Sequence, residues 1–401
     1  EAIENGSEVL LGIGLVEKIG MTNATVKFKV PGRPDHISTP AIWDHQAAIK
    51  QVISLLTDPE HGIVRDPAEI EAVGHRVVHG GEYFKSSAII DADAVEKIRE
   101  CFVLAPLHNP HNLKGYDLMQ QMLPNVPHVA VFDTSFHQTM PAHSFLYALP
   151  YSYYTKHKIR RYGFHGTSHR FMTYTLEQRY AKRPRAQFKA ITVHLGNGCS
   201  VAAVDGGRSI DTSMGFTPLE GLIMGTRCGD MDPALVLHLM SKEEISLHEM
   251  NTVMNKFSGL AGLSGVSGDV RELTAEMEKG NPRAELALKA FAYRVRKYIG
   301  AYHASLGGAQ YIAFAGGIGE NSALLRHMIL QHLEPLGIHL DVEANHNLKK
   351  EGVITTKDSP VQVVVVQTNE ELVIARDTVR CIAAHKKEEM IGSTWSLADG
   401  I

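Results

Sequence analysis

Hydrophobic and polar residues alternate along the first third of the chain with two periods, one typical of strands and one of helices. Valine-rich runs at residues 72–79 and 128–132 predict strands. Apolar residues spaced by three and four, after Asp44 and at residues 94–102, predict amphipathic helices. Two prolines within residues 105–112 predict an irregular loop there. The alternation of strand and helix is typical of an α/β layer with crossover connections.

Beyond residue 140 the pattern changes to strand following strand. Three segments, residues 190–194, 200–204 and 208–212, have the length and composition of strands. The Asp-Gly-Gly sequence at residues 205–207 separates the last two and predicts a hairpin turn.

The final third contains one long helix and two further strands. An Asn281 cap followed by Pro282 predicts a helix to Gly307. Residues 311–315 predict a strand, and the valine-rich residues 361–367 predict a strand at the centre of a sheet. From His385 the periodicity is lost, which indicates a frayed tail.

Composition narrows the class of protein. A chain of 401 residues is long enough for two domains. The formal net charge of −4 argues against a nucleic-acid-binding protein, and no apolar run is long enough to span a membrane. Glu1–Gly20 lacks the features of a secretory signal, and the four cysteines show no paired spacing. We therefore expect a cytoplasmic enzyme.

Three glycine-rich segments suggest phosphate binding. They lie at residues 196–198, 262–269 and 316–319, the last between a predicted strand and a predicted helix. Backbone N–H groups in such turns bind phosphate oxygens, although a single glycine turn is as compatible with a tight connection. The sequence contains no P-loop, no dinucleotide fingerprint, no protein-kinase signature and no serine-hydrolase elbow.

Charged and imidazole side chains could complete a site for an anion. Arg76 and Arg227 lie in apolar, glycine-rich segments, where oxyanion binding explains a cation better than a solvated surface does. Asp133 follows a predicted strand, a position that commonly faces a ligand; Glu370 and its neighbours could equally cap a helix. In residues 161–170, glycines flank Phe164-His165, which indicates either a catalytic loop or a turn that Ser168 caps.

The histidine pairs do not indicate zinc. His75 and His79, and His108 and His111, have spacings that occur in metal sites, but neither a His-Glu-x-x-His pattern nor a cysteine pair accompanies them. Structural or substrate-binding roles are the better interpretation.

These motifs resemble the acetate kinases, with the related propionate and butyrate kinases, of the actin/Hsp70/sugar-kinase superfamily. The matching runs occur in family order over nearly the whole chain: residues 74–82, 105–110, 131–141, 161–169, 193–200, 211–233, 262–273, 315–322 and 368–378. The resemblance implies an α/β, two-domain, ribonuclease H-like fold with ATP in an interdomain cleft. It also implies an N-terminal acyl-kinase domain (residues 1–136 and 371–401) and a C-terminal nucleotide-binding domain (residues 137–370).

The resemblance also implies roles for individual residues. By this resemblance, the residues that match the family's catalytic residues are Arg76, Asp133, His165 and Arg227. The carboxylate and its methyl group would contact Arg76, Val78, Leu107, Phe164 and Pro218. The nucleotide would contact His194, Gly196, Asn197, Gly198, Asp269, Val270, Arg271, Gly317, Ile318 and Asn321. Glu370 would organise the metal, with Asp133.

The activity implied is reversible, in-line phosphoryl transfer from ATP to acetate, with Mg²⁺ (Mn²⁺ as an alternative) and ATP/ADP, as a step of acetyl-CoA biosynthesis. Val78 favours acetate over propionate, since propionate kinases tend to carry a smaller residue there. The expected partners are these small molecules and a second copy of the chain in a homodimer, without nucleic acid or membrane.

One departure from the family pattern leaves an alternative open. Family members open with a β-hairpin that carries an Asn and a Gly-Ser-Ser-Ser-x-Lys run, and this sequence lacks that run. The expectation is therefore a chain without the first phosphate loop. A kinase for a longer acid, and a catalytically silent nucleotide-binding protein, remain as alternative interpretations.

Overall fold

The computed structural model describes residues 2–4, 7–106, 108–181 and 184–385. The chain divides into two compact units: one contains the chain up to Ser135 together with residues from Glu371, and the other contains Phe136–Glu370. Leu107 and the predicted tail beyond His385 lie outside the described residues. None of the described helices is long and apolar enough to cross a membrane.

The strands are short and occur in four sheets. Their bounds are β1 Ala2–Glu4, β2 Ser7–Val9, β3 Ile13–Glu17, β4 Thr25–Lys29, β5 His36–Ser38, β6 Val73–Val77, β7 Ala88–Ile89, β8 His128–Phe132, β9 Lys189–Leu195, β10 Cys199–Asp205, β11 Arg208–Thr212, β12 Tyr311–Ala315, β13 Gly352–Val353 and β14 Gln362–Val365.

The helices range from a single turn to more than six turns. Their bounds are α1 His45–Leu56, α2 Ala92–Glu100, α3 Asn109–Met122, α4 Ala142–Phe145, α5 Tyr151–His157, α6 Gly166–Arg179, α7 Ala234–Lys242, α8 Leu247–Lys256, α9 Gly259–Ser264, α10 Val270–Glu278, α11 Pro282–Ser305, α12 Gly316–Asn321, α13 Ala323–Leu330, α14 Val342–Asn347 and α15 Glu370–His385. Short 3₁₀ turns occur at Pro67–Glu69, Cys101–Val103, Ser135–Thr139, Arg185–Gln187 and Glu334–Leu336.

The first unit is built around strand β8. All five of its residues are buried, and it pairs in parallel with β6 and antiparallel with β7. Its apolar side chains pack against those of α2 and α3, including Ile98 and Leu113. Aspartates cap the helices: Asp44 accepts a hydrogen bond at the start of α1 and Asp91 at the start of α2. The separate sheet β3-β4-β5 is antiparallel.

The second unit contains a six-stranded mixed sheet in the order β11-β10-β9-β12-β14-β13. Strands β9, β12 and β14 are parallel, so their carboxyl ends lie at one edge. Strand β10 returns antiparallel beside β9 and forms a hairpin with β11. Gly206 and Gly207 both have positive φ in that hairpin turn, where a side chain would be strained.

Helix α11 packs against the sheet with the face that the spacing predicts. Leu288, Phe291, Val295, Ile299 and Tyr302 are all buried. Asn281 caps the helix by accepting hydrogen bonds from the N–H groups of residues 283 and 284, and Pro282 occupies the first turn, where its missing N–H costs nothing.

Comparison with the predicted strands shows agreement, whereas one predicted loop is wrong. The predicted strands at residues 128–132, 208–212 and 311–315 have the observed bounds. The predicted loop at residues 105–112 was wrong, because α3 begins at Asn109 within it. Pro110 lies in the first turn of α3, the one part of a helix that tolerates proline.

The packing of α11 yields a test of the described core. Leu288 is fully buried, whereas Leu286 on the same helix is 60% exposed. We expect Leu288→Ala to lower the free energy of unfolding by about 2–5 kcal/mol, because it leaves a cavity. The matched variant Leu286→Ala should change it by less than about 0.5 kcal/mol. Urea denaturation at a single protein concentration measures both; equal losses would contradict this packing.

Candidate active site

The N-terminal half of α6 places a polar cluster against the sheet of the second unit. Ser168 and His169 lie four and three residues before Met172 in α6 and therefore share a helix face with it, and His165 immediately precedes the helix. Met172 and Leu176 continue the same face and are fully buried. On the sheet side, Thr192 and His194 alternate along β9, and Ser200 of β10 lies opposite His194. A helix face and a sheet face thus share buried polar groups.

His165 has an uncommon backbone conformation. It precedes the first turn of α6 with φ 56° and ψ 28°, in the left-handed region that non-glycine residues seldom adopt. Its Nδ1 lies 2.8 Å from Ser200 Oγ, and its ring centroid lies 4.4 Å from that of His194. Local strain of this kind is common at functional sites, where the surrounding structure holds it.

The turn between β9 and β10 brings His165 and Arg227 together. A Cβ added at Gly198 would lie 3.2 Å from both Cε1 and Nε2 of His165 and 3.5 Å from Arg227 Nη1. The same guanidinium donates to the carbonyl oxygen of Pro218 at 3.3 Å. Burial lowers the pKa of Arg227, yet an arginine keeps its charge in a protein. The Arg227 guanidinium and the His165 imidazole therefore both lie close to Gly198, which has no side chain.

His194 and Glu370 extend the cluster towards the end of β14. Ser168 Oγ lies 2.8 Å from His194 Nδ1 and 3.2 Å from Thr368 Oγ1. Thr167 donates a hydrogen bond of 2.6 Å to Glu370 Oε2. The first turn of α6 thereby connects residues of β9 to the segment that follows β14.

Two histidines next to His165, His137 and His169, are fully buried. Burial lowers the pKa of His137 to about 4 and that of His169 well below its ordinary value, so both are neutral near pH 7. His137 Nε2 lies 3.0 Å from the carbonyl oxygen of Phe164, to which it donates, and its Nδ1 lies 2.8 Å from Ser209 Oγ. The ring centroids of His137 and His169 are 5.5 Å apart in an edge-to-face arrangement. His137 thus fixes the backbone immediately before His165.

A partly buried ion pair holds the long loop that carries Pro218 and Arg227. Arg161 Nη2 donates to Glu220 Oε1 at 2.6 Å, and its Nη1 donates to the carbonyl oxygen of Thr212 at 2.9 Å. Burial alone would lower the pKa of Arg161, but the Glu220 carboxylate raises it and the net shift is upward. Tyr147 also donates to Glu220.

The carboxyl ends of the parallel strands carry the predicted glycine turns. Gly316 has φ +79°, and a Cβ there would lie 2.7 Å from the carbonyl oxygen of Leu195. Glu320 accepts from the N–H of Gly316 at 3.0 Å and from that of Thr368 at 3.2 Å. The ends of β9, β12 and β14 are therefore tied together at the sheet edge where α/β proteins bind ligands.

The remaining nucleotide candidates lie on three segments of the second unit. Asn197 Oδ1 would be 2.5 Å from a Cβ on Gly225, and Gly268 packs on the carbonyl oxygen of Gly225. Asp269 caps α10 and pairs with the exposed Arg271 at 2.6 Å, while Val270 is buried.

Gly317, Ile318 and Asn321 lie on α12, where Asn321 donates to the Gly317 carbonyl oxygen at 2.8 Å. Gly196 N–H donates to the Gly198 carbonyl oxygen at 3.0 Å.

The first unit brings Arg76 and Asp133 into a bidentate ion pair. Arg76 Nε and Nη2 donate to the two carboxylate oxygens of Asp133 at 2.9 and 2.6 Å. Asp133 is 2% exposed, but the Arg76 side chain is 47% exposed. The buried setting expected for Arg76 is therefore wrong, because this side chain lies, with Gly74, on the exposed side of β6. Val78 is buried beside it, and its N–H donates to Asn112.

Carboxylate and hydroxyl oxygens in these segments fit a hard cation. Mg²⁺ typically takes one or two carboxylates and completes its shell with water and phosphate oxygens. In the second unit, the Glu370 carboxylate lies 2.6 Å from Thr167 Oγ1 and has the required oxygen donors. In the first unit, the Asp133 carboxylate also has them, and both of its oxygens accept hydrogen bonds from Arg76. The described residues contain no group of three ligating side chains, which an all-protein cage would need.

The structure overturns the capping interpretation of Ser168. Helix α6 begins at Gly166, so Ser168 lies inside it and its hydroxyl contacts His194. Sequence reasoning also missed Thr167, Ser200 and the place of His169. The available signals were the three- and four-residue spacing from His165 and the two-residue alternation along β9, neither of which shows which helix meets which strand.

The turn at Gly198, with a cation and an imidazole beside it at the carboxyl edge of parallel strands, has the chemistry of a candidate anion site in an α/β protein. A profile of the acetokinase family matches residues 3–376. The acetate kinase of Alkaliphilus metalliredigens is 52% identical over 378 residues, 94% of this chain and 95% of the relative. That of Symbiobacterium thermophilum is 52% identical over 386 residues, 95% and 96% of the two chains. This chain belongs to the acetokinase family.

Solved structures agree with the family assignment. The Porphyromonas gingivalis acetate kinase has a TM-score of 0.88 at 42% identity and covers 95% of each chain. A propionate kinase from Francisella tularensis has a TM-score of 0.87 at 40% identity, covering 94% of this chain and 95% of its own. The resemblance and the α/β fold class that the motifs predicted are confirmed.

The buried histidines predict acid-sensitive stability. The pKa of His137 is about 4 in the folded protein, below its ordinary 6.5, so the unfolded chain binds more protons between these values. Its contribution is complete above pH 6.5 and is lost as the pH falls towards 4. The free energy of unfolding should therefore fall by about 1.4 kcal/mol per pH unit for such a group.

The test compares two histidine substitutions by urea denaturation between pH 7.5 and about 4.5. His137→Gln should flatten the pH dependence by roughly the slope of one group. The control His248→Gln, at an exposed position on α8, should leave the slope unchanged. A His137→Gln protein with the parent slope would contradict a neutral, buried His137.

Proposed function

We propose that this protein is an acetate kinase that transfers the γ-phosphoryl group of ATP reversibly to acetate, giving acetyl phosphate and ADP. The observation that carries the proposal is the placement of His165 Nε2 and Arg227 Nη1 around Gly198, in a family whose named members include acetate kinases at about half identity. Phosphoryl transfer depends mainly on positioning and on charge stabilisation, which these groups supply.

The charge problem of the reaction explains the residue types. A carboxylate that attacks a γ-phosphoryl group brings two anions together, and the transferring group spreads negative charge over its equatorial oxygens. Arg227 and His165 would donate to those oxygens in the transition state. Arg76, held by Asp133 in a fixed orientation, would bind the acetate carboxylate through its planar fork. Transfer is direct and in line, without a phosphorylated side chain.

The remaining roles follow the nature of each segment. Val78, Leu107, Phe164 and Pro218 would form the apolar pocket for the methyl group, and the glycine turns with His194 and Asn197 would bind the phosphates. Asp269, Val270, Arg271, Gly317, Ile318 and Asn321 would bind the adenosine. Glu370 and Asp133 would hold Mg²⁺, or Mn²⁺, through water and phosphate; the bound ion would neutralise phosphate charge.

Three further properties belong to the same proposal. The functional division is an acyl-kinase domain (residues 1–136 and 371–401) and a nucleotide-binding domain (residues 137–370). The enzyme is a homodimer in the cytoplasm that serves acetyl-CoA biosynthesis. The four cysteines are free in the structure, and burial raises the pKa of Cys101 and Cys199 to about 12, which suits a reducing compartment.

A hydroxamate assay for the acyl phosphate tests the function directly. The purified protein with MgATP should form acetyl hydroxamate from acetate faster than the corresponding product from propionate or butyrate. Calorimetry with MgADP should show binding. Binding without turnover of any of the three acids would overturn the proposal in favour of a catalytically silent nucleotide-binding protein.

His165 provides the sharpest kinetic test of the site. Because its Nε2 would donate chiefly in the transition state, His165→Ala should lower kcat by about 10²–10³. The KM for ATP should change by less than a factor of about three, since ground-state binding is largely retained. An unchanged kcat would contradict the assignment of His165.

Val78 tests the specificity pocket. Val78→Ala should raise kcat/KM for propionate relative to acetate by about tenfold, because the pocket gains room for one methylene. The matched control is Val77→Ala, since Val77 is the preceding residue and packs into the core with Phe132. That control should lower stability without changing the ratio of the two substrates. An equal change of the ratio in both variants would exclude a specific role for Val78.

A further inference from the structure

Three fully buried polar side chains form a continuous chain behind His165. Thr192 Oγ1 lies 2.8 Å from His169 Nδ1, His169 Nε2 lies 2.8 Å from Ser200 Oγ, and Ser200 Oγ lies 2.8 Å from His165 Nδ1. Thr192, His169 and Ser200 are each 0% exposed. The chain crosses between α6, β9 and β10, and it ends at the imidazole placed beside the Gly198 turn.

Counting donors fixes the direction of this chain. Each hydroxyl has one proton to donate, and a neutral imidazole has one N–H and one acceptor nitrogen. Among the described residues, the hydrogen-bond partner of the Thr192 hydroxyl is His169 Nδ1. If His169 Nδ1 carried the proton, the buried Thr192 hydroxyl would be left with no acceptor, at a cost of about 1–3 kcal/mol. The favourable arrangement has Thr192 donating to His169 Nδ1.

The rest of the chain follows from that first donor. His169 Nδ1 is then the acceptor, so its proton is on Nε2 and is donated to Ser200 Oγ. The Ser200 hydroxyl must then give its own proton to His165 Nδ1. Burial keeps His169 neutral, as the direction of its pKa shift requires.

We propose that Thr192, His169 and Ser200 are positioning residues that hold neutral His165 in the tautomer with an unprotonated Nδ1 and a protonated Nε2. A Cβ built on Gly198 would lie 3.2 Å from that Nε2, on the side where Arg227 also lies. The imidazole therefore presents an N–H donor to this position without having to be charged.

The catalytic consequence rests on the proposed function. A transferring phosphoryl group offers only oxygen acceptors, so an Nε2–H stabilises it, whereas an Nε2 lone pair would repel it. In a neutral imidazole the reverse order of the chain would present that lone pair. No bond is made or broken within the chain during transfer; its effect is to orient a donor before the reaction.

Nuclear magnetic resonance of imidazole nitrogens tests the tautomer without turnover. In protein labelled with ¹⁵N-histidine, the His165 signals, identified by their absence in His165→Ala, should show a pyridine-type Nδ1 and a pyrrole-type Nε2 above the pKa of the ring. Ser200→Ala and Thr192→Val, which keep the shape of the side chains, should each shift His165 towards a mixture of tautomers. Ser359→Ala should leave the His165 tautomer unchanged, because its buried hydroxyl contacts the backbone of Gly337 and Val361 and no residue of this chain of hydrogen bonds.

Kinetics supply the second measurement. Ser200→Ala should lower kcat by about 10- to 100-fold, less than the roughly 10²–10³ expected for loss of an oxyanion donor itself, with little change in either KM. The control Ser359→Ala also removes a buried hydroxyl, one that bonds to backbone carbonyl oxygens, and should retain the parent kcat. A general loss of packing would instead affect both variants alike.

The outcomes separate this proposal from the proposed function. A protonated Nδ1 on neutral His165 in the parent protein, or equal kcat values for Ser200→Ala and Ser359→Ala, would overturn the ordered chain even if acetate kinase activity is present. The expected tautomer, lost in Ser200→Ala, in a protein that phosphorylates none of the three acids would support the chain and overturn the function. If Ser200→Ala fails to fold, Thr192→Val decides by the same two measurements.

Discussion

The hydrogen bonding of β9 on both of its edges is the constraint on which the site depends. Because β9 pairs antiparallel with β10 and in parallel with β12, its register is fixed on each side. Thr192 and His194 are consequently on one face, with Ser200 directly across from His194. A slip of one residue would turn Thr192 and His194 to the other face of the sheet and remove every partner that α6 finds there.

Helix α6 meets this face with polar residues first and apolar residues later. His165, Ser168 and His169 contact hydroxyls and imidazoles, whereas Met172 and Leu176 pack in the core. The apolar half anchors the helix, and the polar half is thereby held in a region of low dielectric, where hydrogen bonds are strong and unpaired groups are costly. The same burial that depresses the pKa of His169 makes the order of its protons definite.

The sequence predicted elements far better than it predicted contacts. Strands such as β8 and β12 are fully buried, largely apolar runs bounded by turn residues, so local information locates them. Helix α3 was placed incorrectly at its start, because a proline in a first turn and a proline in a loop look the same in a sequence. Ser200 and His169 were not recognised at all, since their contact joins residues 31 apart and depends on how α6 packs on the sheet.

Arg161 and Arg227 are held by different kinds of contact, and this difference affects how each can interact with an anion. Arg161 is balanced by Glu220 and bound to carbonyl oxygens, so its charge is satisfied by the protein and its effect is to shape the loop that carries Arg227. Arg227 Nη1 contacts the carbonyl oxygen of Pro218 and the thioether sulfur of Met224, and burial lowers the pKa of Arg227. Among the described residues no carboxylate contacts Arg227, and a guanidinium partly removed from water in this way gains most from an incoming anion. In the proposed function, Arg161 would support the loop, whereas Arg227 would bind the anionic ligand beside His165.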